Sequence, residues 1–321
     1  MDSKSKVECY IQSLIGGRSE NQDCAGVLNT DVGTVVVVCD GMGALNGGST
    51  ASRIAVSTVL DYVKNVYDEP SIPEILRAAI LQANNAILDA AEEDEDLKGM
   101  GTTITALIIN DDCATVSYVG DSRIYQLRGM NKVFRTFDHS FVFESVRIGL
   151  ITEEQARLSS QSNIILRALG INRELEVDVY ELPYLKGDRF VLCTDGFWGA
   201  LPEKEFIAKI AKGNVQTVLE KTALQIDMIG NRNGGHHDNL TAAMFDTTSE
   251  SNRKAKMSTK LKIIVASLVL ALIVSISLNV YMLSQNMQDS EPAKENVADV
   301  NTGDDIDSGN ISGEQKTSDT K

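Results

Sequence analysis

The sequence is short of the residues on which several classes of protein depend. Its 5 cysteines are odd in number and scattered along the chain. This usage is typical of reduced thiols packed in a core, and it argues against a disulfide framework or a zinc site. Basic residues are outnumbered, with 30 Lys and Arg against 45 Asp and Glu. Because nucleic acids attract clustered positive charge, the acidic balance of the folded part argues against a nucleic-acid partner.

The N-terminus lacks the apolar stretch of a signal peptide, since MDSKSKVECYIQ is largely polar. A long uncharged run occurs at 263–283, IIVASLVLALIVSISLNVYML. At about 1.5 Å of rise per residue it is long enough to cross a hydrocarbon core of about 30 Å, and we expect a single transmembrane helix there rather than a buried core helix. The residues that precede it are basic: Arg253, Lys254, Lys256, Lys260 and Lys262. The positive-inside rule then predicts a cytoplasmic N-terminal domain and an extracytoplasmic tail at the cell membrane.

Composition divides the chain into four segments: a folded domain (1–248), a basic juxtamembrane linker (249–262), the transmembrane helix (263–283) and an acidic tail (284–321). The tail has too few apolar residues to bury, so we expect it to be disordered. Within the predicted span, Ser267, Ala271 and Ser275 recur every four residues. Such a stripe suits a weak homodimer in the bilayer, although chance composition is a competing explanation.

The folded domain mixes strand-like and helix-like patterns. Apolar runs of strand length lie at 7–15, 34–40, 102–110, 114–121, 123–128, 174–184, 188–195 and 240–246. Helical patterns lie at 49–67, 72–93, 152–160 and 203–226. This grouping predicts an α+β fold in which helices pack outside antiparallel sheets, but periodicity alone does not order the layers.

Aspartates stand at the ends of four predicted strands. Asp40, Asp121 and Asp195 follow apolar runs, and Asp238 comes just before one. If these strand ends are neighbours in space, the like charges require cations between them. The candidate ligands are carboxylate oxygens and a backbone carbonyl next to Gly41, and no His or Cys stands at the strand ends. Such oxygen ligands suit Mg²⁺ or Mn²⁺ rather than zinc. An aspartate at a strand end is also a common turn-former, so the pattern alone leaves both interpretations open.

Seven short motifs follow one another along this domain. They are RSENQD (18–23), DGMG (40–43), GTT (101–103), GDSR (120–123), DHS (138–140), TDG (194–196) and HDNLT (237–241). In order and approximate spacing they resemble the motif series of the metal-dependent PPM, or type 2C, protein serine/threonine phosphatases, in their bacterial branch. The resemblance covers nearly all of residues 7–246. It implies a catalytic domain at 1–248 built as an α/β/β/α sandwich, with two antiparallel sheets flanked by helices.

The resemblance also assigns a binuclear metal centre. Asp40 resembles the carboxylate that bridges two Mn²⁺ or Mg²⁺ ions, and Gly41 the residue whose carbonyl binds one of them. Asp195 and Asp238 resemble the ligands that complete the other. Asp121 matches one ligand of a third, weaker site, but Gly199 stands where its usual second carboxylate would be.

The implied reaction is the hydrolysis of phosphoserine and phosphothreonine in proteins by a metal-activated water. Besides Asp40, the resemblance gives catalytic roles to Arg18, which is similar to the phosphate-binding arginine, and to Asp23, which is similar to the acid that holds a metal-bound water. Met42 stands where some members have a histidine, which leaves water as the acid for the leaving group. Family habit further implies a membrane serine/threonine kinase and its substrates as partners.

Two alternatives remain at the level of sequence. Gln22 replaces an acid that is usual in the first motif, and together with Gly199 it is compatible with a catalytically weak or inactive PPM-fold binding or scaffold module. The other alternative is a phosphatase of the anti-sigma-antagonist type, which the complete RSENQD and GDSR motifs disfavour. Segment 140–172 falls where the family has a flap over the cleft, and substrate choice is expected to involve it.

Overall fold

The computed structural model describes residues 7–43, 47–66, 71–253 and 259–288, with the side chains of the last segment described at 267–283. The chain divides into two units, Met1–Ala255 and Lys256–Lys321. The predicted segment boundaries at 248, 262 and 283 are not tested by this division and stay predictions.

The first unit contains strands and helices that occur in groups along the chain. Its strands are β1 (Tyr10–Leu14), β2 (Asp23–Thr30), β3 (Gly33–Met42), β4 (Gly101–Thr102), β5 (Ile104–Ile109), β6 (Ala114–Val119), β7 (Arg123–Arg128), β8 (Asn131–Arg135), β9 (Asp178–Leu182), β10 (Asp188–Cys193) and β11 (Leu240–Asp246). Its helices are α1 (Gly47–Lys64), α2 (Ile72–Glu93), α3 (Phe141–Arg147), α4 (Glu153–Arg157), α5 (Asp195–Trp198), α6 (Glu203–Ile210) and α7 (Val215–Arg232). In the described residues, one sheet has the order β1-β11-β10-β7-β8, and the other has the order β2-β3-β5-β6-β9 with β4 beside β3.

Strand β3 shows how the layers are stacked. Val35, Val37 and Cys39 pack into a core with α1 and α2, whereas Val36 and Val38 enter a second core shared with the other sheet. Because successive side chains of a strand point to opposite faces, a continuous apolar run here means burial on both faces. A third core lies between the β10-β11-β7 face and the helices α5, α6 and α7. The predicted pair of antiparallel sheets flanked by helices is therefore confirmed.

Some predicted elements were wrong in detail. The pattern at 203–226 is two helices, α6 and α7, because Gly213 between them adopts a left-handed φ of 104°. Strands β2 and β8 were missed, since β2 carries polar residues and a glycine, and β8 is mostly exposed. The segment predicted as a flap contains α3 and α4, which form a small core of their own around Val142, Phe143 and Ala156.

The last described residues of the first unit form hydrogen bonds with the turn between β5 and β6. The main-chain N–H of Asn252 donates to the carbonyl of Asp111 at 2.8 Å, and that of Arg253 donates to the carbonyl of Asp112 at 3.0 Å. This turn lies at the opposite end of β5 from Thr103, whose N–H donates to the carbonyl of Asp40 at 2.9 Å.

Helix α8 (Thr259–Gln288) contains the segment predicted to cross the membrane, 263–283. Among the helices in the described part of the chain, none combines the length and the apolar character that crossing a membrane requires. The structure therefore does not support the transmembrane prediction. Linker residues 254–258 and tail residues 289–321 lie outside the described residues.

Candidate active site

The predicted carboxylates come together at one edge of the two sheets. Asp23 and Asp40 are direct partners across the β2–β3 ladder. Asp195 begins α5 immediately after β10, and Asp238 lies in the loop that leads into β11, the neighbour of β10. Asp40, Asp195 and Asp238 border a cleft of about 420 Å³, and its lining also includes Arg18, Gly41 and Asp121.

The main chain of Asp40 is held by the GTT motif. Its N–H donates to the hydroxyl of Thr103 at 3.0 Å, and its carbonyl accepts from the hydroxyl of Thr102 at 2.8 Å. The Thr103 hydroxyl is also within 2.7 Å of the Ser122 hydroxyl. These threonines therefore position the backbone of Asp40 and leave its carboxylate to the cleft.

Only glycine fits at position 41. Its N–H donates to the carbonyl of Gln22 at 3.1 Å. A Cβ there would lie 2.1 Å from the carbonyl oxygen of Gly48 and 2.5 Å from that of Gln22. The missing side chain lets three main-chain segments meet beside Asp40.

Carboxylate oxygens without partners mark this edge as a cation site. One Oδ1 atom in each of Asp23, Asp121 and Asp195 is buried and has no hydrogen-bond partner. Buried polar atoms in proteins are nearly always paired, so three orphaned oxygens in one acidic cluster fit an ion bound between them. Oxygen-only donors suit Mg²⁺ or Mn²⁺. In the described residues no group of three or more His, Cys, Asp or Glu side chains is placed so that it could hold a metal ion, so the fit rests on the orphaned oxygens.

Burial and mutual repulsion raise the pKa values of these acids. Burial, followed by the charges of Asp23 and Asp195, holds the pKa of the Asp40 carboxyl well above its ordinary value. Burial raises the pKa of Asp23 to about 7, although two threonine hydroxyls oppose it. The pKa of Asp195 is raised by burial and then by the charge of Asp238. A bound divalent cation would favour the ionised forms and reverse these directions.

Arg18 stands at the mouth of the cleft. Its side chain is 52% exposed, and Nη2 donates to Oδ2 of Asp238 at 2.8 Å. The preceding residue, Gly17, donates its N–H to the carbonyl of His237 at 3.0 Å. The loop before Asp238 and the loop of Arg18 are thus joined, and the predicted phosphate-binding residue lies beside a predicted metal ligand.

Asp121, the candidate ligand for a third ion, is buried beside Asp195. Its main-chain carbonyl accepts from Nε1 of Trp198 at 3.1 Å, and the charge of Asp195 adds to burial in raising its pKa. At Gly199 the main-chain carbonyl accepts from Nη1 of Arg157 at 3.2 Å. A guanidinium therefore contacts the position where the family usually has a second carboxylate.

Sequence reasoning missed the role of Asn239. Its Oδ1 accepts from the N–H of Gln22 at 2.8 Å, and its Nδ2 donates to the carbonyls of Ile15 and Glu20 at 2.7 and 2.9 Å. One side chain therefore fixes the loop that carries Arg18. The position of Asn239 in the HDNLT motif is the sequence feature that could have indicated this role.

The GDSR and DHS motifs meet in a buried ion pair. Nε and Nη2 of Arg123 donate to the two carboxylate oxygens of Asp138 at 2.8 and 2.7 Å, and the guanidinium carbon lies 3.3 Å from the centroid of the Trp198 ring. His139 bonds Asp178 through Nε2 at 2.8 Å and accepts from the N–H of Gly120 at Nδ1. These residues support the strand ends and are not among the residues that line the 420 Å³ cleft.

Known proteins match this fold and this motif series. The sequence profile described as Protein phosphatase 2C matches residues 12–264. The serine/threonine phosphatase stp of Listeria monocytogenes is 38% identical over 235 residues, which are 71% of this chain and 91% of that protein. The crystal structure of the Mycobacterium tuberculosis serine/threonine phosphatase PstP/Ppp has 29% identity and a TM-score of 0.63, covering 75% of this chain and 99% of that one.

The chain belongs to the protein phosphatase 2C family. The predicted family and the predicted enzyme class, a protein serine/threonine phosphatase, are confirmed. Phosphatases of this family use Mn²⁺ or Mg²⁺. The catalytic domain of the serine threonine protein phosphatase PstP, solved in complex with two manganese ions, has 28% identity and a TM-score of 0.62 over 76% of this chain and 99% of that one.

Proposed function

We propose that this chain hydrolyses phosphoserine and phosphothreonine in proteins with two Mn²⁺ or Mg²⁺ ions at the strand-end carboxylates. Asp40, the carbonyl of Gly41, Asp195 and Asp238 would hold the ions. The observation that carries the proposal is the convergence of Asp40, Asp195 and Asp238 on one cleft. Oδ1 of Asp195, like Oδ1 of Asp23 and of Asp121 in the same cluster, is buried and has no hydrogen-bond partner.

When bound, the two cations would supply an activated water and neutralise the charge on the phosphoryl oxygens. The protein's own groups orient the reactants. Arg18 is exposed enough to turn its planar guanidinium from Asp238 towards a phosphoryl group, where it can donate two parallel hydrogen bonds. Asp23 has its Oδ2 fixed by the Thr194 hydroxyl at 3.0 Å, so its unpaired Oδ1 can accept a hydrogen bond from water beside Asp40.

The test is hydrolysis of a phosphothreonine peptide by the full chain in Mn²⁺, in Mg²⁺ and in EDTA. We expect turnover only with metal, and a loss of at least about 100-fold in Asp195→Asn, since a group that stabilises charge in the transition state is removed. Asp31→Asn, in the exposed turn at the far end of the β2–β3 hairpin, is the matched control and should keep its activity. A folded chain without turnover in either metal would favour the binding-module alternative.

We also propose that the chain is tethered to the cell membrane through 263–283, with a cytoplasmic catalytic domain and an extracytoplasmic tail. The support is the uncharged sequence of this segment and the basic residues before it. The test is cell fractionation of the full chain and of the variant Leu270→Arg/Ile273→Arg. Recovery of the unaltered chain in the soluble fraction would contradict tethering.

A membrane serine/threonine kinase and its substrates are the partners that fit a tethered phosphatase. Co-purification of such a kinase with the full chain, lost in the same double variant, would support this part of the proposal. Weak self-association through Ser267, Ala271 and Ser275 is a separate proposal, which in-membrane crosslinking with and without Ala271→Leu would test.

A further inference from the structure

A second cavity adjoins the catalytic cleft. It has a volume of about 370 Å³, and Met42 and Ile165 line both it and the cleft. Met42 lies two residues beyond Asp40 on β3, which is about 7 Å in an extended strand. A polypeptide that is bound with its phosphorylated residue in the cleft and runs towards Met42 and Ile165 would place a side chain two or three positions away in this cavity.

A glycine on β4 lies beside two residues of this cavity. A Cβ at Gly101 would lie 2.8 Å from the carbonyl oxygen of Leu169, 3.2 Å from Cδ1 of Ile171 and 3.5 Å from Cγ of Met42. Gly101 belongs to β4, which pairs with β3 at Gly41 and Met42, so its position is fixed by the same ladder that positions the catalytic strand end. Glycine at this position therefore allows the close approach of the Leu169 main chain and adds no side chain between Met42 and Ile171.

The walls of the cavity are aliphatic and partly exposed. Leu166 is 52% exposed and Ile171 is 50% exposed, and Ile165 and Leu175 are half-buried beside them. Exposed aliphatic side chains gathered around a concavity are typical of a contact surface rather than of a solvated face. The walls therefore suit the hydrocarbon part of an incoming side chain.

The charged groups of the cavity are mainly acidic. Nη2 of Arg167 forms an ion pair with Glu176 at 3.0 Å, and Nη1 lies 4.0 Å from Asp178, so two acids already compensate the charge of this arginine. Glu174 is exposed, and among the described residues it has no cationic partner. A cation at this rim would be attracted, and an anion would be repelled by Glu174 and Glu176. Lysine and arginine combine a long aliphatic stem with a terminal cation, which matches the aliphatic walls and the acidic rim.

We propose that this cavity, the basic-residue pocket, binds a lysine or arginine side chain of the phosphoprotein substrate two or three residues from the phosphorylated residue. The stem lies along Met42, Ile165 and Leu175, and the cation lies at Glu174 and Glu176. This inference rests on the proposed phosphatase function and adds a substrate preference to it.

The experiment compares phosphothreonine peptides that carry either arginine or its neutral isostere citrulline at each position from four before to four after the phosphothreonine. With the full chain we expect arginine to raise kcat/KM about fivefold at a position two or three residues away, the size expected of a partly exposed ion pair. Glu174→Gln should abolish this preference. The matched control Glu93→Gln, at the exposed end of α2, should keep it.

A small substrate separates the two proposals. p-Nitrophenyl phosphate is too short to reach the pocket, so the unaltered chain and Glu174→Gln should hydrolyse it at the same rate. Equal kcat/KM for arginine and citrulline at every position, or a preference that survives Glu174→Gln, would overturn the pocket. If p-nitrophenyl phosphate is not hydrolysed either, the phosphatase proposal has failed. The basic-residue pocket is then tested by measuring the affinity of the chain for the arginine and citrulline peptides by fluorescence anisotropy. Equal affinities would overturn the pocket, and tighter binding of the arginine peptide would support it.

Discussion

The buried ion pair of Arg123 and Asp138 can be broken by a single substitution, Asp138→Asn. The two side chains are only 4% and 1% exposed and share two hydrogen bonds of 2.8 and 2.7 Å. Asparagine keeps the shape of the aspartate but removes its charge, so the guanidinium would remain buried without a counter-ion. Removing one partner of a buried pair costs about 3–5 kcal/mol. Since whole domains are stable by about 5–15 kcal/mol, this is a large share of the total.

The assay is equilibrium urea unfolding followed by tryptophan fluorescence. The chain has a single tryptophan, Trp198, whose ring lies against the guanidinium of Arg123. We expect the free energy of unfolding of Asp138→Asn to fall by about 3–5 kcal/mol. The control Asp96→Asn, at an exposed position, should stay within about 0.5 kcal/mol of the unaltered chain.

A double variant decides whether the uncompensated charge is the cause. Arg123→Met/Asp138→Leu removes both charges and keeps apolar volume, and such replacements are often neutral or stabilising. We expect it to recover most of the stability that the single variant loses. A loss below about 1 kcal/mol in Asp138→Asn, or a double variant as unstable as the single one, would refute the reasoning.

Two further changes have defined outcomes. Gly41→Ala should abolish phosphopeptide hydrolysis and lower the melting temperature, because its Cβ would lie 2.1 Å from the carbonyl oxygen of Gly48. The control is Ser57→Ala, on the exposed side of α1. Full activity of Gly41→Ala would contradict the geometry. Burial lowers the pKa of His139 below its ordinary value, so as the pH falls from 7 to 5.5 the unfolded chain takes up a proton that the folded chain resists, and the free energy of unfolding should fall. Urea unfolding at both pH values should show a smaller loss in His139→Gln, and an equal loss would count against this assignment.

The strand ends were predictable because two local signals coincide there. A continuous apolar run such as Val35–Val38 indicates a strand buried on both faces, and an aspartate directly after it indicates where that strand meets solvent or a ligand. The convergence of Asp40 with Asp195 and Asp238 was not available from periodicity, because it depends on which strands are neighbours. The order of the seven motifs supplied that information through the family resemblance.

Other features depend on contacts between distant parts of the chain. Asn239 bonds main-chain groups more than 200 positions away, so no local pattern announces its role. Arg123 and Asp138 are recognisable as motif residues, but the packing of Arg123 against Trp198 depends on the tertiary structure. Strand β2 was missed because its partner β3, rather than its own composition, keeps it in the sheet.

The main-chain hydrogen bonds of Asn252 and Arg253 to the β5–β6 turn place these two residues far from the cleft. Strand β5 separates the two places, and the eight residues from Thr103 to Asn110 span about 24 Å when extended. Asn252 and Arg253 are therefore held at the opposite end of the strand from Asp40.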